Sequence, residues 1–403
     1  MNIRFTAKNL SRDATRFIQF QVLFTGMSAI LTLFVNTFLM NAFGSYSKEV
    51  LLYNIVLAVT QPVAMLTAMK LSEWKTALFT QRIGFAFYGS ALTVLCIFGE
   101  AVSPYYPLFA VMLSFGAGYY YSTYSAQMFC YTNDCNRDKI AGILGILGSL
   151  ISIFIPMISG IMISQFGVVI GYRVVFGIAA LLAVGALITN TFLPPIPKHN
   201  KEPALVKVWK RILGSQNGRM IMIANGLSNC RSFTLPIFVT LLFYNLLPDE
   251  LMISLNSTIG YIVALLGATV YSTTVKHKNR GKASIWAAVA VMMPALGMLF
   301  GLNIAIIIIF NAINGFFTTF YSTPVLNTHF KVMETLGLHG EYGGEVHLVR
   351  ELFVSAGRVM GLVIVWAVPK TNVGAVIVLM FMILTALIDA VIIWRIEKNL
   401  EKA

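Results

Sequence analysis

Apolar residues in this chain run in long unbroken stretches separated by short polar breaks. A bilayer core about 30 Å thick is crossed by about 20 residues of helix at about 1.5 Å per residue. Twelve stretches meet that length: residues 18–43, 49–69, 78–98, 105–129, 140–165, 171–193, 220–246, 250–275, 283–301, 303–327, 347–368 and 373–394. Continuous apolar runs predict helices, because barrel strands alternate apolar and polar positions. The first run is too long for a signal-peptide core and no small-residue cleavage pattern follows it, so it is expected to stay in the mature protein. A thirteenth, shorter helix is predicted over Ala204 to Leu213. There Leu205, Val208, Trp209 and Ile212 recur at helical spacing with Lys207, Lys210 and Arg211 opposite, which predicts a helix lying on an anionic leaflet.

The polar breaks fix an orientation. With the N-terminus taken as cytoplasmic, the cytoplasmic segments hold 23 of the 29 Lys and Arg, whereas the opposite side holds Lys48, Arg173 and Lys370. Positive residues collect on the cytoplasmic side of membrane proteins, so both termini are expected there, in a multi-pass protein of the cell (cytoplasmic) membrane. Composition agrees: 57% of residues are hydrophobic and 11% charged, against about 25% charged in soluble chains. The net charge of +13 is spread over seven short segments, which excludes a nucleic-acid-binding reading. Cys96 and Cys230 fall within spans and Cys130 and Cys135 at the end of the fourth; a zinc site needs more ligands than that pair offers. No metal and no cofactor is expected. The fold class is an all-α membrane protein.

The longest break, 194–219, opens on Pro194, Pro195 and Pro197 and divides the spans six and six. The expected organisation is a cytoplasmic segment 1–17, a six-helix bundle 18–193, a linker 194–219 with its amphipathic helix, a second bundle 220–394 and a tail 395–403. The bundles share sequence. The fourth span reads Gly118-Tyr-Tyr-Tyr-Ser-Thr-Tyr-Ser125 and the tenth Gly315-Phe-Phe-Thr-Thr-Phe-Tyr-Ser322, while Gly26-Met-Ser28 of the first matches Gly226-Leu-Ser228 of the seventh. The nearly constant offset points to a duplicated six-helix unit. Twelve spans, internal termini, a basic central loop and parallel repeats resemble the major facilitator superfamily. The loop Lys70-Leu-Ser-Glu-Trp-Lys75 departs from that family's Gly, Asp-Arg, Gly-Arg-Lys pattern, and Lys276-His-Lys-Asn-Arg-Gly-Lys282 keeps its charge and little else. The resemblance implies two pseudo-symmetric six-helix bundles and a central cavity lined by the first, fourth, seventh and tenth spans.

Charged groups within spans are expensive and belong against protein or water. Arg231 lies near the middle of the seventh span and Arg358 deep in the eleventh, with Glu351 on the same face as Arg358 and Arg350 beside it. Guanidinium forks suit carboxylate or phosphate, so Arg231 and Arg358 are candidate substrate ligands. The alternative ties Arg358 to Glu351 and Arg231 to a partner such as Asp389. Glu351 and Asp389 are the candidate proton-coupling acids, with packing as the other reading of Asp389. Polar stripes supply further candidates: Asn36 with Thr25, Thr32 and Asn41; Tyr121 and Ser125 with Ser114 and Gly118; Asn311, Thr318 and Tyr321 with Gly315 and Ser322. Small and hydroxyl residues also serve as helix-packing glue. The segment 328–347, with His329, His339, His347, Glu334, Glu341 and Glu345, reads as a solvated glycine-rich loop.

The expected activity is secondary transport of a small organic anion or amphipathic solute by alternating access, with protons as the candidate driving ion, in a monomer whose partners are its small-molecule substrate and the lipid bilayer. A lipid or glycolipid flippase on the same scaffold is the alternative. No Gly-x4-Gly-Lys-Ser/Thr loop appears, and an intramembrane enzyme lacks its His-Glu-x-x-His, Gly-x-Ser-x-Gly or paired-aspartate signatures.

Overall fold

The computed structural model describes residues 11–44, 48–131, 137–196, 204–275, 279–338 and 342–400, without the side chains of Ser125, Phe129 and 137–139. Among these residues the regular structure is entirely helical. The helices are α1 (Arg12–Phe43), α2 (Lys48–Trp74), α3 (Ala77–Phe98), α4 (Tyr106–Tyr131), α5 (Arg137–Phe166), α6 (Val168–Thr191), α7 (Leu205–Gly214), α8 (Gln216–Leu246), α9 (Glu250–Thr274), α10 (Arg280–Gly297), α11 (Ile304–Thr335), α12 (Gly343–Ala367) and α13 (Asn372–Leu400). All but α7 are 18 to 32 residues long, so the shortest spans about 27 Å. α12 carries Glu345, Arg350, Glu351 and Arg358, and hydropathy does not pick it out as a span as it does the other long helices.

Local chemistry sets several helix starts. Ser11 accepts from Ala14 N (3.1 Å), Asp249 from Leu251 and Met252 N, and Asn303 from Ile306 N (2.9 Å), each satisfying amides that have no partner in the first turn. Proline inside a helix frees the carbonyl four residues earlier. Pro324 in α11 does this to Phe320, and Ser284 of α10 donates its hydroxyl to that oxygen at 2.6 Å. In a membrane interior such a replacement partner is what makes the proline tolerable.

The packing repeats. α2 lies on α4 as α9 lies on α11; α3 on α6 as α10 on α13; α1 on α5 and α6 as α8 on α12 and α13. The halves meet along α2 with α12 and α5 with α9, again a symmetry-related pair. The sequence repeat sits on this geometry in one of its two instances. A Cβ on Gly118 would lie 2.6 Å from Ala64 Cβ of α2, and one on Gly315 would lie 2.6 Å from the Gly260 carbonyl oxygen of α9. Both glycines thus permit the same close crossing in the two halves. Gly26 and Gly226 face different neighbours, α6 and α12.

Two expectations are corrected. α7 forms as predicted, but Val208 and Ile212 are fully buried among Ile221, Met222, Val332 and Val349. Trp209 lies 6.3 Å from the Phe353 ring. Docking on α8, α11 and α12 removes Val208 and Ile212 from water, so protein takes up the centre of this face, while Trp209 stays 37% exposed. The supposed loop 328–347 is largely helical: α11 continues to Thr335, and α12 begins at Gly343. His329 is buried in α11 and His347 lies in α12. His339 and Glu341 lie outside the described residues.

Candidate substrate cavity

A cavity of about 670 Å³ lies between the halves, within the range of small-molecule sites. α1, α2, α4 and, through Tyr88, α3 line it from one side and α8, α9, α11 and α12 from the other. Arg231 is the middle residue of α8 and Gln61 the middle residue of α2, so the cavity includes mid-depth, where charge is most costly.

Its charged wall belongs to the second half. Arg231 is 5% exposed and lines the cavity with its guanidinium carbon 3.7 Å above the Tyr321 ring, a close cation–π arrangement. Its Nε has no hydrogen-bond partner. Tyr321 is itself buried beneath the guanidinium and is not part of the lining. Arg358 Nη1 donates to Glu351 Oε1 and to Gln61 Oε1, both at 2.9 Å, and Phe233 packs under it at 5.2 Å. Gln61 is on α2, so this arginine ties the two halves together. Ser355 faces the same Glu351 oxygen at 3.5 Å. Arg350 is held by a relay. Its Nε donates to Asn225 Oδ1 (2.8 Å), while Asn225 Nδ2 donates to Ile221 O (2.7 Å) and reaches His329 Nδ1 at 3.3 Å. Both Asn225 amide hydrogens are then committed, so His329 accepts at Nδ1 and carries its proton on Nε2. With His347 neutral, three arginines and one glutamate leave the wall at a net charge of about +2.

The first half contributes no formal charge to the lining. Asn54 donates to Asn36 Oδ1 at 2.6 Å, and Tyr53, Tyr88 and Tyr121 complete this side. Tyr121 is 38% exposed and lines the cavity. A second amide pair answers in the other half, where Asn311 donates to Asn256 O (2.8 Å) and Oδ1 (3.2 Å).

The candidates from sequence therefore separate. Asn36, Tyr121, Arg231, Asn311, Thr318, Glu351 and Arg358 are brought together around one cavity. Tyr321 and Asp389 lie behind its wall, the side chain of Ser125 lies outside the described residues, and Ser114 and Gly118 pack against α2. Arg358 does meet Glu351, whereas Arg231 and Asp389 form no ion pair. Gln61, Asn54 and Asn225 were not picked out from the sequence. Asn54 and Gln61 lie seven residues apart on one apolar helix, a polar stripe of the kind that flagged α1, α4 and α11.

On the face opposite the helix-α1 start, contacts join the halves. Tyr172 donates to Glu250 Oε1 (2.5 Å) and shares a hydrogen bond with Thr37 Oγ1 (2.8 Å); Tyr244 donates to Asn41 Oδ1 (3.3 Å). Thr258 of α9 donates to Ile153 O of α5 (3.3 Å), and Gly160 admits Ser254. Farther along α5, toward the face that α1 rises from, Gly142, Gly145 and Gly148 have open space at their Cβ positions.

Two matched bundles of membrane-spanning helices around a central cavity that holds a few charged and polar side chains define a transporter architecture. The chain belongs to the Major Facilitator Superfamily, whose family model matches residues 17–362. It is similar in sequence to the uncharacterized protein YqgE of Bacillus subtilis (strain 168), with 22% identity over 349 residues, 86% of this chain and 81% of that one. In structure it is similar to a bacterial homologue of the iron transporter ferroportin in an inward-facing state (TM-score 0.72, 11% identity, 96% of this chain and 98% of that one). It is also similar to the nucleoside transporter NupG (TM-score 0.67, 12% identity, 96% and 100%) and to the POT family transporter PepTSo (TM-score 0.64, 15% identity, 97% and 98%). At these identities the likeness shows a shared fold.

Proposed function

We propose that the protein is a secondary transporter, not an enzyme, and that it carries a small organic anion through the cavity between its halves. The observation that carries this reading is the one-sided charge of the wall: Arg231, Arg350 and Arg358 against Glu351. Arg231 is the primary anion ligand, because its guanidinium borders the cavity without a carboxylate partner. Arg358 is the second. It is shared between Glu351 and Gln61, so an anion that takes over one of these bonds also changes how the halves are joined. Glu351 then serves as the resting counter-ion of Arg358. Asn36, Tyr121, Asn311 and Thr318 supply neutral hydrogen-bonding and aromatic contacts for the rest of the solute. The excess of Lys and Arg on the face bearing both termini supports a cytoplasmic-membrane protein with that face inward. Contacts close the opposite face, so the cavity is presented to the cytoplasm, and the protein acts as a monomer.

Uptake of radiolabelled benzoate, as a probe anion, into proteoliposomes tests this. Saturable uptake that Arg231→Gln reduces about 100-fold supports the reading, an effect of the size expected when one partner of a buried charge contact is removed. Uptake unchanged in Arg231→Gln, or movement of labelled lipid between leaflets without solute uptake, overturns it.

A further inference from the structure

A buried acid stands immediately behind the arginine that faces the cavity. Asp389, on α13, is 4% exposed, and neither of its carboxylate oxygens has a hydrogen-bond partner. An ionised carboxylate taken out of water without a partner is one of the most costly arrangements in a protein interior. The groups around it are few. α8 faces it with Arg231 and the Cys230 thiol, and α11 sets Tyr321 under the guanidinium of that arginine. From α10, Gly281 packs on Ala390 and Trp394, so Arg280 and Lys282 flank the neighbouring turn. α12 sets no ionisable group beside it among the described residues. Arg231 is therefore the cation within its reach at this depth, yet the two form no ion pair, and the arginine lies on Tyr321 at the cavity edge instead.

We propose that Asp389 is a proton-binding site for cotransport, and that Arg231 is exchanged between this acid and the anion in the cavity. This rests on the anion reading above for its cargo and on the orphaned carboxylate for its site. With the cavity empty and Asp389 ionised, Arg231 pairs with Asp389. An arriving anion draws the guanidinium to the cavity side. The Arg231–Asp389 ion pair breaks, a proton from water forms an O–H bond on the Asp389 carboxylate, and no charged group is left unpaired. Anion and proton bind together and leave together, which is symport, and electroneutral for a monoanion. Linkage makes the coupling reciprocal: anion affinity falls up to tenfold per pH unit on the alkaline side, where Asp389 must first be protonated. Glu351 does not compete for this role, because it accepts from Arg358 at 2.9 Å and is already paired. The arrangement places the proton outside the solute path, so neither cargo has to pass the other.

Infrared spectroscopy on the purified full-length protein in nanodiscs tests the site without any solute. A carboxylic-acid C=O band that disappears in Asp389→Asn identifies the group. In wild type the band is expected to be lost on alkaline titration, as Arg231 pairs with the carboxylate; in Arg231→Gln it persists to more alkaline pH. An identical titration in wild type and Arg231→Gln overturns the proposal. Benzoate added to weakly buffered protein reads the coupling. About one proton is taken up per bound benzoate in wild type, and none in Asp389→Asn, which still binds benzoate with an affinity independent of pH. Binding without proton uptake, or uptake that survives Asp389→Asn, also overturns the proposal. A lack of benzoate binding with an Arg231-sensitive band removes the anion reading and leaves the proton site standing.

Discussion

The two halves of the molecule share one plan of helix pairing and differ in what they put into the cavity. α1, α2 and α4 offer amides and phenols, with Asn36, Asn54, Gln61 and Tyr121 carrying no formal charge. α8 and α12 offer Arg231, Arg350, Glu351 and Arg358. The equivalence lies in backbone approach, as at Gly118 and Gly315, where a side chain would collide with α2 or α9. The contacts that hold a six-helix unit together thus recur in both halves, while the cavity surfaces, which pack against nothing, differ in charge. Charge gathered in one half leaves the other free to turn against it without breaking ion pairs. The charged groups that do reach across the halves, Arg358 to Gln61 and Glu250 to Tyr172, meet partners that are neutral on the first-half side.

That contrast can be broken most severely at the crossings. Gly315→Leu places a side chain onto the Gly260 backbone and is expected to cost about 3 kcal/mol or more, seen as loss of a monodisperse peak and a lowered melting temperature; Gly118→Leu is expected to match it, and a benign Gly118→Leu would remove the claimed equivalence of the halves. Next in size, Arg231→Gln is expected to weaken benzoate binding by roughly 100-fold, about 2.7 kcal/mol, in a titration by isothermal calorimetry, whereas Asn54→Ala in the neutral wall costs less than tenfold. Equal losses would show that charge is not what distinguishes the halves. Gln61→Ala removes one hydrogen bond between the halves, about 1 kcal/mol, and is expected to speed opening at the α2–α12 seam, read as faster crosslinking of cysteines placed across it. Tyr321→Leu takes the ring from under Arg231 and is expected to cost about 1 kcal/mol of anion affinity, with Tyr321→Phe near wild type. Smallest, Gly148→Ala meets open space and is expected to leave the melting temperature within the range of a neutral surface change, about 0.5 kcal/mol.

Much of the architecture was open to inspection in the sequence, since a bilayer demands long apolar helices and the demand is local. The predicted spans fall on α1 to α6 and α8 to α13, and the amphipathic spacing of Leu205, Val208 and Ile212 announced α7. What that stripe would touch was not announced. Apolar periodicity says that a face avoids water, and both lipid and protein satisfy it; Val332 and Val349, far along the chain, decided for protein. The stretch 328–347 misled because histidines and glutamates look solvated when read one by one, whereas His329 is satisfied by Asn225 from another helix.

The candidate site divides in the same way. Arg231, Arg358 and Glu351 stood out because an ion inside an apolar run has a cost that composition alone exposes. Gln61 carries a neutral amide and little such cost, so only its spacing from Asn54 on an apolar helix marked it, and its bond to Arg358 spans 297 residues. Sequence by itself determined that this chain crosses a membrane many times, in two related sets of helices, with cations held at mid-depth, because hydropathy and insertion energy act on each segment separately. Which of those cations faces a cavity, which is already paired, and that Asp389 stands unpaired behind Arg231 were decided only by tertiary structure, because pairing and desolvation depend on which distant helices are brought into contact.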